Sequence, residues 1–241
     1  MVNCPSQMNE SVSVGLQIEE ISMLLVEERK KILEISQKLL SAGLVHDGQG
    51  NLSIYNRESN LIAITPSAVP YDQRNLEDIC VIDLDGNLIE SNWKPTQETN
   101  LHLIYYRERE DVNAVVHTHA PRATVFGVIG TEPLPMVTNE AAMGAGGPVP
   151  IAPYARPGSE ELAEVTFKAT GEGFAAIMAH HGLITVGPDI NLAYIGTIAV
   201  ESTANTIILA RSMGYETIAL SAEEVDTLRK IFITGYKPKR A

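Results

Sequence analysis

The sequence predicts an α/β fold, a single domain in which a central β-sheet is covered by helices on both faces. Three observations predict it. Short strand-like runs, alternating or continuously apolar, are interleaved with longer stretches of helical period. The chain has 241 residues, 44% of them apolar, which is ample for one sizeable core. No internal repeat or long linker divides it, so residues 17–241 are read as one domain behind a flexible tail, residues 1–16.

The tail mixes Ser, Asn, Gln and Pro without periodicity, and with neither a cationic start nor an apolar stretch it does not read as a signal peptide. Residues 16–42 have helical period, with Ile32, Ile35, Leu39 and Leu40 on one side and Gly43 placed to stop the helix. A glycine-rich loop, HDGQG at 46–50, then runs into a short alternating strand. Such a loop lets backbone N–H groups approach an anion, with Asn51 and Ser53 adding side-chain hydrogen bonds, but a plain turn before a strand explains it too. A second strand, 61–65, ends in the hydroxyl-bearing turn TPSAVPY, and residues 80–89 read as a hairpin around Asp85-Gly86. Residues 94–98, KPTQE, open a helix to about Arg109, with Leu101, Ile104 and Tyr105 inward and Thr96 as N-cap. The first-turn N–H groups of that helix suit a phosphate, and Glu98 in the same turn reads first as a carboxylate complementing the dipole.

Residues 114–119 form the next strand and 122–128 a helix. Residues 134–137 are extended and lead through Asn139-Glu140 to the glycine-rich bend 144–147. Prolines mark 149–154 as an edge strand. Ser159 caps a helix over 160–170, and strands 175–178 and 183–186 flank His180-His181-Gly182. Pro188-Asp189 starts a long helix to about Met213, and Ser221 caps a last one to about Thr234, before Gly235-Tyr236.

The net charge of −12, with no basic cluster before the tail at 237–240, makes nucleic acid and anionic membrane poor partners. Glu201 interrupts the longest weakly polar stretch, 193–210, against a membrane span. Cys4 and Cys80 are the only cysteines and make no disulfide framework, so a reducing cytoplasm fits.

The chemistry centres on VVHTHAP, 115–121. Residues two apart on a strand share a face, so His117 and His119 aim two imidazoles at one point, and His181 beside Gly182 is the natural third. Neutral imidazoles suit zinc and other late divalent ions, and a catalytic zinc commonly takes three protein ligands. Read alone, the H-x-H fits core or surface histidines equally well. His102, one turn after Glu98, is a rival ligand that a buried, hydrogen-bonded histidine explains as readily.

Six segments in one order, GNLS (50–53), ITPSAVPY (64–71), KPTQE (94–98), AVVHTHAP (114–121), GAGGPVPIAPYA (144–155) and HHGLITVG (180–187), resemble the class II aldolase/adducin family over roughly residues 20–236. The resemblance implies a helix-covered three-layer fold and a cyclic homotetramer with active sites between subunits. It implies one divalent metal per subunit, zinc before manganese or cobalt, on His117, His119 and His181, with Glu98 ligating the resting metal and serving as acid/base. It also implies phosphate contacts from Gly50 and Asn51, from Ser67 and Ala68, and from Thr96 and Gln97, the last pair standing where the family commonly has two serines. Alignment on Gly146-Gly147 puts Glu140 where related aldolases carry a tyrosine proton donor, and Tyr236 is a counterpart for the tyrosine that reaches a neighbour's site.

The reaction so implied is retro-aldol cleavage of a ketose 1-phosphate, L-fuculose 1-phosphate or a related deoxy-ketose phosphate, to dihydroxyacetone phosphate and an aldehyde. No Schiff-base lysine competes, since Lys94 and Lys168 sit at helix edges. The alternatives are 4-epimerisation of L-ribulose 5-phosphate, dehydration or decarboxylation of a sugar phosphate, and a non-catalytic adducin-like scaffold. The scaffold lacks the metal ligands that this chain keeps.

Overall fold

The computed structural model describes Met1 and residues 23–130 and 132–235. The rest of the N-terminal tail, residues 16–22 of the first expected helix, and Tyr236 lie outside the described residues. The strands are β1 (Asn51–Asn56), β2 (Leu61–Ile64), β3 (Cys80–Ile82), β4 (Leu88–Glu90), β5 (Ala114–Thr118), β6 (Ile151–Ala152), β7 (Ala175–Met178) and β8 (Gly182–Gly187). They form one sheet in the order β4-β3-β2-β1-β5-β8-β7-β6. Every adjacent pair is antiparallel except β6 and β7. The helices are α1 (Val26–Ser41), α2 (Thr99–Glu108), α3 (Pro121–Ile129), α4 (Asn139–Ala145), α5 (Glu160–Thr170), α6 (Ile190–Ser212) and α7 (Ala222–Gly235).

Alternation along the strands feeds two cores. Leu52, Ala63, Ala114, Val116 and Leu183 face one side with Ile32, Ile35 and Leu39 of α1 and Val200 and Ile207 of α6. Ile62, Ile64, Val115, Ile184 and Val186 face the other with Leu101 and Tyr105 of α2 and Leu162 of α5. Each such Leu, Ile or Val contributes roughly 1.5–3 kcal/mol when fully buried. Because β1, β5 and β8 are covered on both faces, their burial is nearly continuous.

Elements with strong local signals form where the spacing predicts. Gly43 follows α1, with its N–H on Leu40 O and the Leu44 N–H on Leu39 O. Ser159 and Asp189 cap α5 and α6 through their side chains. β6 is the outer strand, flanked by Pro150 and Pro153.

Two expectations need correction. In the described residues the first helix begins only at Val26, after Leu25 in a left-handed conformation (φ 52°). Buried Arg29 holds that start, donating from Nε to Leu24 O at 2.8 Å and pairing with Glu90, so long-range contacts rather than periodicity set the boundary. The stretch read as extended chain leading into a glycine bend contains α4, capped by Thr138, whose Oγ1 accepts from Ala141 N at 3.2 Å. Its small residues allow close crossing: a Cβ on Gly144 would lie 3.0 Å from Ala199 Cβ and 3.1 Å from Gly196 Cα of α6.

Helix α6 is long and apolar enough to cross a membrane by composition alone, with a mean hydropathy of 1.3, yet half of that window is buried inside the protein. Glu201 at its middle is buried and accepts the N–H groups of Arg122 (3.0 Å) and Ala123 (2.9 Å) at the start of α3. It is thus a core helix tethering another.

Candidate metal centre and the cavity beside it

His117 lies near the end of β5, opposite Asn51 of β1 and Ile184 of β8, on the face that α2 covers. His119 follows one residue past the strand end. His181 comes from the tight turn between β7 and β8, where His180 takes φ 57°. Gly182 is required by proximity, since a Cβ there would sit 2.3 Å from Thr118 O. The three rings converge, with centroids 4.8 Å (117–181), 5.1 Å (117–119) and 5.1 Å (119–181) apart. One ligand atom from each lies within 4.8 Å of the others.

Glu98 closes the group. It is the residue before α2, with Oε2 3.2 Å from His117 Nε2 and Oε1 3.4 Å from His181 Nε2. The His117 Nδ1–H donates to Leu183 O at 3.1 Å, so its lone pair is on Nε2, toward Glu98. Burial pushes His117 down to about 3, with Glu98 acting in the opposite sense. His119 and His181 are lowered by burial too. Burial works to raise the Glu98 carboxyl, but the facing His117 and His181 and the Asn51 amide together bring it below its ordinary value. At neutral pH the result is neutral imidazoles beside a carboxylate. Among the described residues His117 Nε2 and Glu98 Oε1 are buried with no hydrogen-bond partner. Orphaned lone pairs converging in this way fit a divalent cation, which accepts from both.

His102 is not part of this group. It is fully buried, with Nε2 2.5 Å from Asn51 Oδ1 and Nδ1 2.6 Å from Ser53 Oγ, as expected of a satisfied core histidine.

Beside the centre lies a cavity of ≈ 670 Å³. Gly50, Asn51, Ser67, Ala68, Thr96 and Gln97 all line it, together with Glu98, His119 and His181. Gly50 lets the loop turn into β1: it has φ +80°, and a Cβ would meet His117 O at 2.8 Å. The N–H groups of Gly50, Ala68 and Gln97 make no hydrogen bond to the protein among the described residues. Those of Ser67 and Thr96 are taken by Lys94 O and Thr65 O, so these two residues offer hydroxyls only.

Three site readings change in detail. Thr96 does not cap α2, which starts at Thr99; its Oγ1 accepts from Glu98 N at 3.3 Å and organises the turn that carries Glu98. Glu98 is therefore the residue preceding the helix rather than one in its first turn. Ser53 does not face an anion, because alternation on β1 turns its hydroxyl into the protein against His102 and Tyr106. The Asn51 side chain likewise donates to Glu98 Oε2 at 2.8 Å. Glu140 is exposed on the first turn of α4 and is not among the residues lining the cavity of its own chain.

Sequence reasoning missed His180, Pro157 and Gly158 as walls of the cavity, and Tyr106 behind it. Tyr106 had a signal: it follows His102 by four on one side of α2, as His102 follows Glu98, the residue before the helix.

A family model described as Class II Aldolase and Adducin N-terminal domain matches residues 30–208. A 5-deoxy-D-ribulose 1-phosphate aldolase from Bacillus thuringiensis serovar kurstaki is 40% identical over 214 residues, 89% of this chain and 99% of that one. An L-fuculose phosphate aldolase from Methanococcus maripaludis is 38% identical, over 72% of this chain and 92% of its own. A solved L-fuculose 1-phosphate aldolase superposes with a TM-score of 0.81 at 33% identity, covering 86% of this chain and 96% of that one.

Proposed function

The chain belongs to the class II aldolase and adducin family and is an aldolase, a lyase, of the fuculose-phosphate type; on that premise we propose that it cleaves a deoxy-ketose 1-phosphate to dihydroxyacetone phosphate and a short aldehyde. The observation that carries this reading is the junction of two chemistries in one cavity. Glu98 and two of the three converging imidazoles, His119 and His181, line it together with N–H groups unpaired among the described residues and with hydroxyls.

In this reading His117, His119, His181 and Glu98 hold one divalent metal, zinc first and manganese or cobalt next. When bound, the metal supplies Lewis-acid stabilisation of the negative charge that develops on the ketose oxygens as the carbon–carbon bond breaks. The substrate phosphate is held by the Gly50, Ala68 and Gln97 N–H groups and by the Ser67 and Thr96 hydroxyls, with no lysine or arginine among the described residues lining the cavity. Glu98 Oε1, the carboxylate atom free of hydrogen bonds, moves the proton at the reacting carbon. Deprotonating the hydroxyl of the departing aldehyde needs a second group. We assign it to a neighbouring copy in a cyclic homotetramer, with the exposed Glu140 or Tyr236 as its source. The site acts in the cytoplasm in this account.

The 40% identity to an aldolase named for 5-deoxy-D-ribulose 1-phosphate supports that five-carbon substrate ahead of L-fuculose 1-phosphate. The test is product analysis after incubating metal-loaded protein with both deoxy-ketose 1-phosphates and L-ribulose 5-phosphate. Dihydroxyacetone phosphate plus acetaldehyde or lactaldehyde supports the proposal. An isomeric pentose 5-phosphate as the sole product contradicts it.

A further inference from the structure

Behind Glu98 a file of buried side chains runs into the protein. Glu98 Oε2 meets Asn51 Nδ2 at 2.8 Å, Asn51 Oδ1 meets His102 Nε2 at 2.5 Å, His102 Nδ1 meets Ser53 Oγ at 2.6 Å, and Ser53 Oγ meets Tyr106 OH at 2.5 Å. Two periodicities assemble it. Asn51 and Ser53, two apart on β1, share the face toward α2, and His102 and Tyr106, four apart, share the side of α2 toward β1, with Glu98 four residues before His102 at the helix start.

The direction of each hydrogen bond follows from the first. An ionised carboxylate only accepts, so Asn51 turns its NH₂ to Glu98 and leaves Oδ1 to accept from the His102 Nε2–H. His102 is neutral, its pKa pushed down to about 4 by burial, so Nδ1 accepts from the Ser53 hydroxyl. The Ser53 oxygen then accepts from Tyr106 OH. All four donors point toward Glu98. A tautomer switch at His102 would make Nε2 an acceptor, turn the Asn51 amide over, and set Oδ1 against the carboxylate.

We propose that His102, Ser53 and Tyr106, acting through Asn51, are positioning residues that commit Glu98 Oε2 to one acceptor role and thereby present Oε1 to the metal and the substrate. This rests on the site assignment above. The carboxylate imposes the His102 tautomer through Asn51, and the Ser53 hydroxyl satisfies it by donating to Nδ1 while accepting from Tyr106 OH, so a hydroxyl deep in the core helps hold the orientation of a carboxylate at the cavity wall.

The test uses the full chain stripped of metal and titrated with zinc against a chromophoric chelator, with folding checked by circular dichroism. His102→Leu and Ser53→Ala each weaken zinc binding about tenfold, at the low end of the ~10–100-fold losses seen when the outer partners of metal ligands are removed. His102→Gln keeps a donor and an acceptor and binds within about threefold of the wild type. In a Glu98→Ala background, His102→Leu and Ser53→Ala have no further effect. Wild-type affinity in folded His102→Leu or Ser53→Ala overturns the proposal, as does an undiminished loss in the Glu98→Ala background. If neither variant folds, loss of zinc binding by folded His102→Gln overturns it and retention supports it. Zinc affinity needs no substrate. The expected pattern in a chain that releases no dihydroxyacetone phosphate refutes the reaction and leaves the positioning role standing.

Discussion

Glu98→Gln separates the role of the carboxylate in the metal-free protein from its role in the loaded one. The amide is isosteric: its oxygen can replace Oε2 and keep the 2.8 Å hydrogen bond from Asn51. Its NH₂ then falls where Oε1 stands 3.4 Å from His181 Nε2, giving that nitrogen a donor. Without metal the substitution removes a charge that is 8% exposed and whose Oε1 is unpaired. Giving Oε1 a partner recovers part of the about 1–3 kcal/mol that a buried unsatisfied polar atom costs, while losing the charge forfeits the interactions that hold the Glu98 carboxyl below its ordinary value, so metal-free Glu98→Gln should match wild type to within about 1 kcal/mol. At roughly 2–4 °C per kcal/mol for a chain of this size, it melts within about 4 °C of wild type. With free zinc at 100 times the wild-type Kd, wild type gains about 2.7 kcal/mol. A variant binding tenfold more weakly gains about 1.4 kcal/mol, half as much. Turnover should fall by ~10²–10⁴, or about 3–5 kcal/mol of barrier. Thermal melts with and without zinc, beside an assay for dihydroxyacetone phosphate, read all three quantities. The reasoning is refuted if both proteins respond equally to zinc, or if turnover stays within tenfold.

Other perturbations probe the scaffold. Gly182→Ala places a Cβ 2.3 Å from Thr118 O; forcing β8 away from β5 at the turn carrying His181 should cost about 3 kcal/mol or more and abolish stoichiometric zinc in elemental analysis. Glu201→Ala strands the Arg122 and Ala123 N–H groups at the start of α3, and urea unfolding should register a loss of about 2 kcal/mol. His102 titrates near 4 when folded against an ordinary 6.5. Above pH 6.5 it is neutral in both states and its contribution is complete. As the pH falls from 6.5 toward 4, the unfolded chain takes up a proton that the folded chain refuses, and stability drops by about 1.4 kcal/mol per pH unit. Metal-free His102→Gln should therefore lose about 2 kcal/mol less than wild type between pH 7 and pH 5, read from urea melts at each pH. Equal losses would remove His102 from the acid sensitivity.

The parts of this molecule that are legible in its sequence are those set by local chemistry. Ser159, Asp189 and Ser221 announce helix starts because their side chains satisfy N–H groups two or three residues on. The H-x-H spacing reports convergence because β5 is a regular strand, and His181 joins it because β8 lies against β5. What could not be read depends on contacts between distant segments. The start of α1 is held by Arg29 and Glu90, sixty-one positions apart. The N–H groups of Ser67 and Thr96 look free in a loop, but the two loops pair with each other through Lys94 O and Thr65 O. Asn51 and Ser53 read as anion ligands until β1 is seen to be covered on both faces, which turns them toward α2. Helix α4, seven residues long with a glycine next to its end, is too short to hold on its own and forms by packing against α6 and α7.

The most direct test of the central claim is the rate of dihydroxyacetone phosphate release from 5-deoxy-D-ribulose 1-phosphate, measured after exhaustive chelation and again on adding zinc back. The account predicts no release from the stripped chain and recovery that saturates near one zinc per chain. Release that persists undiminished in chelator, or none at any zinc concentration, would contradict it.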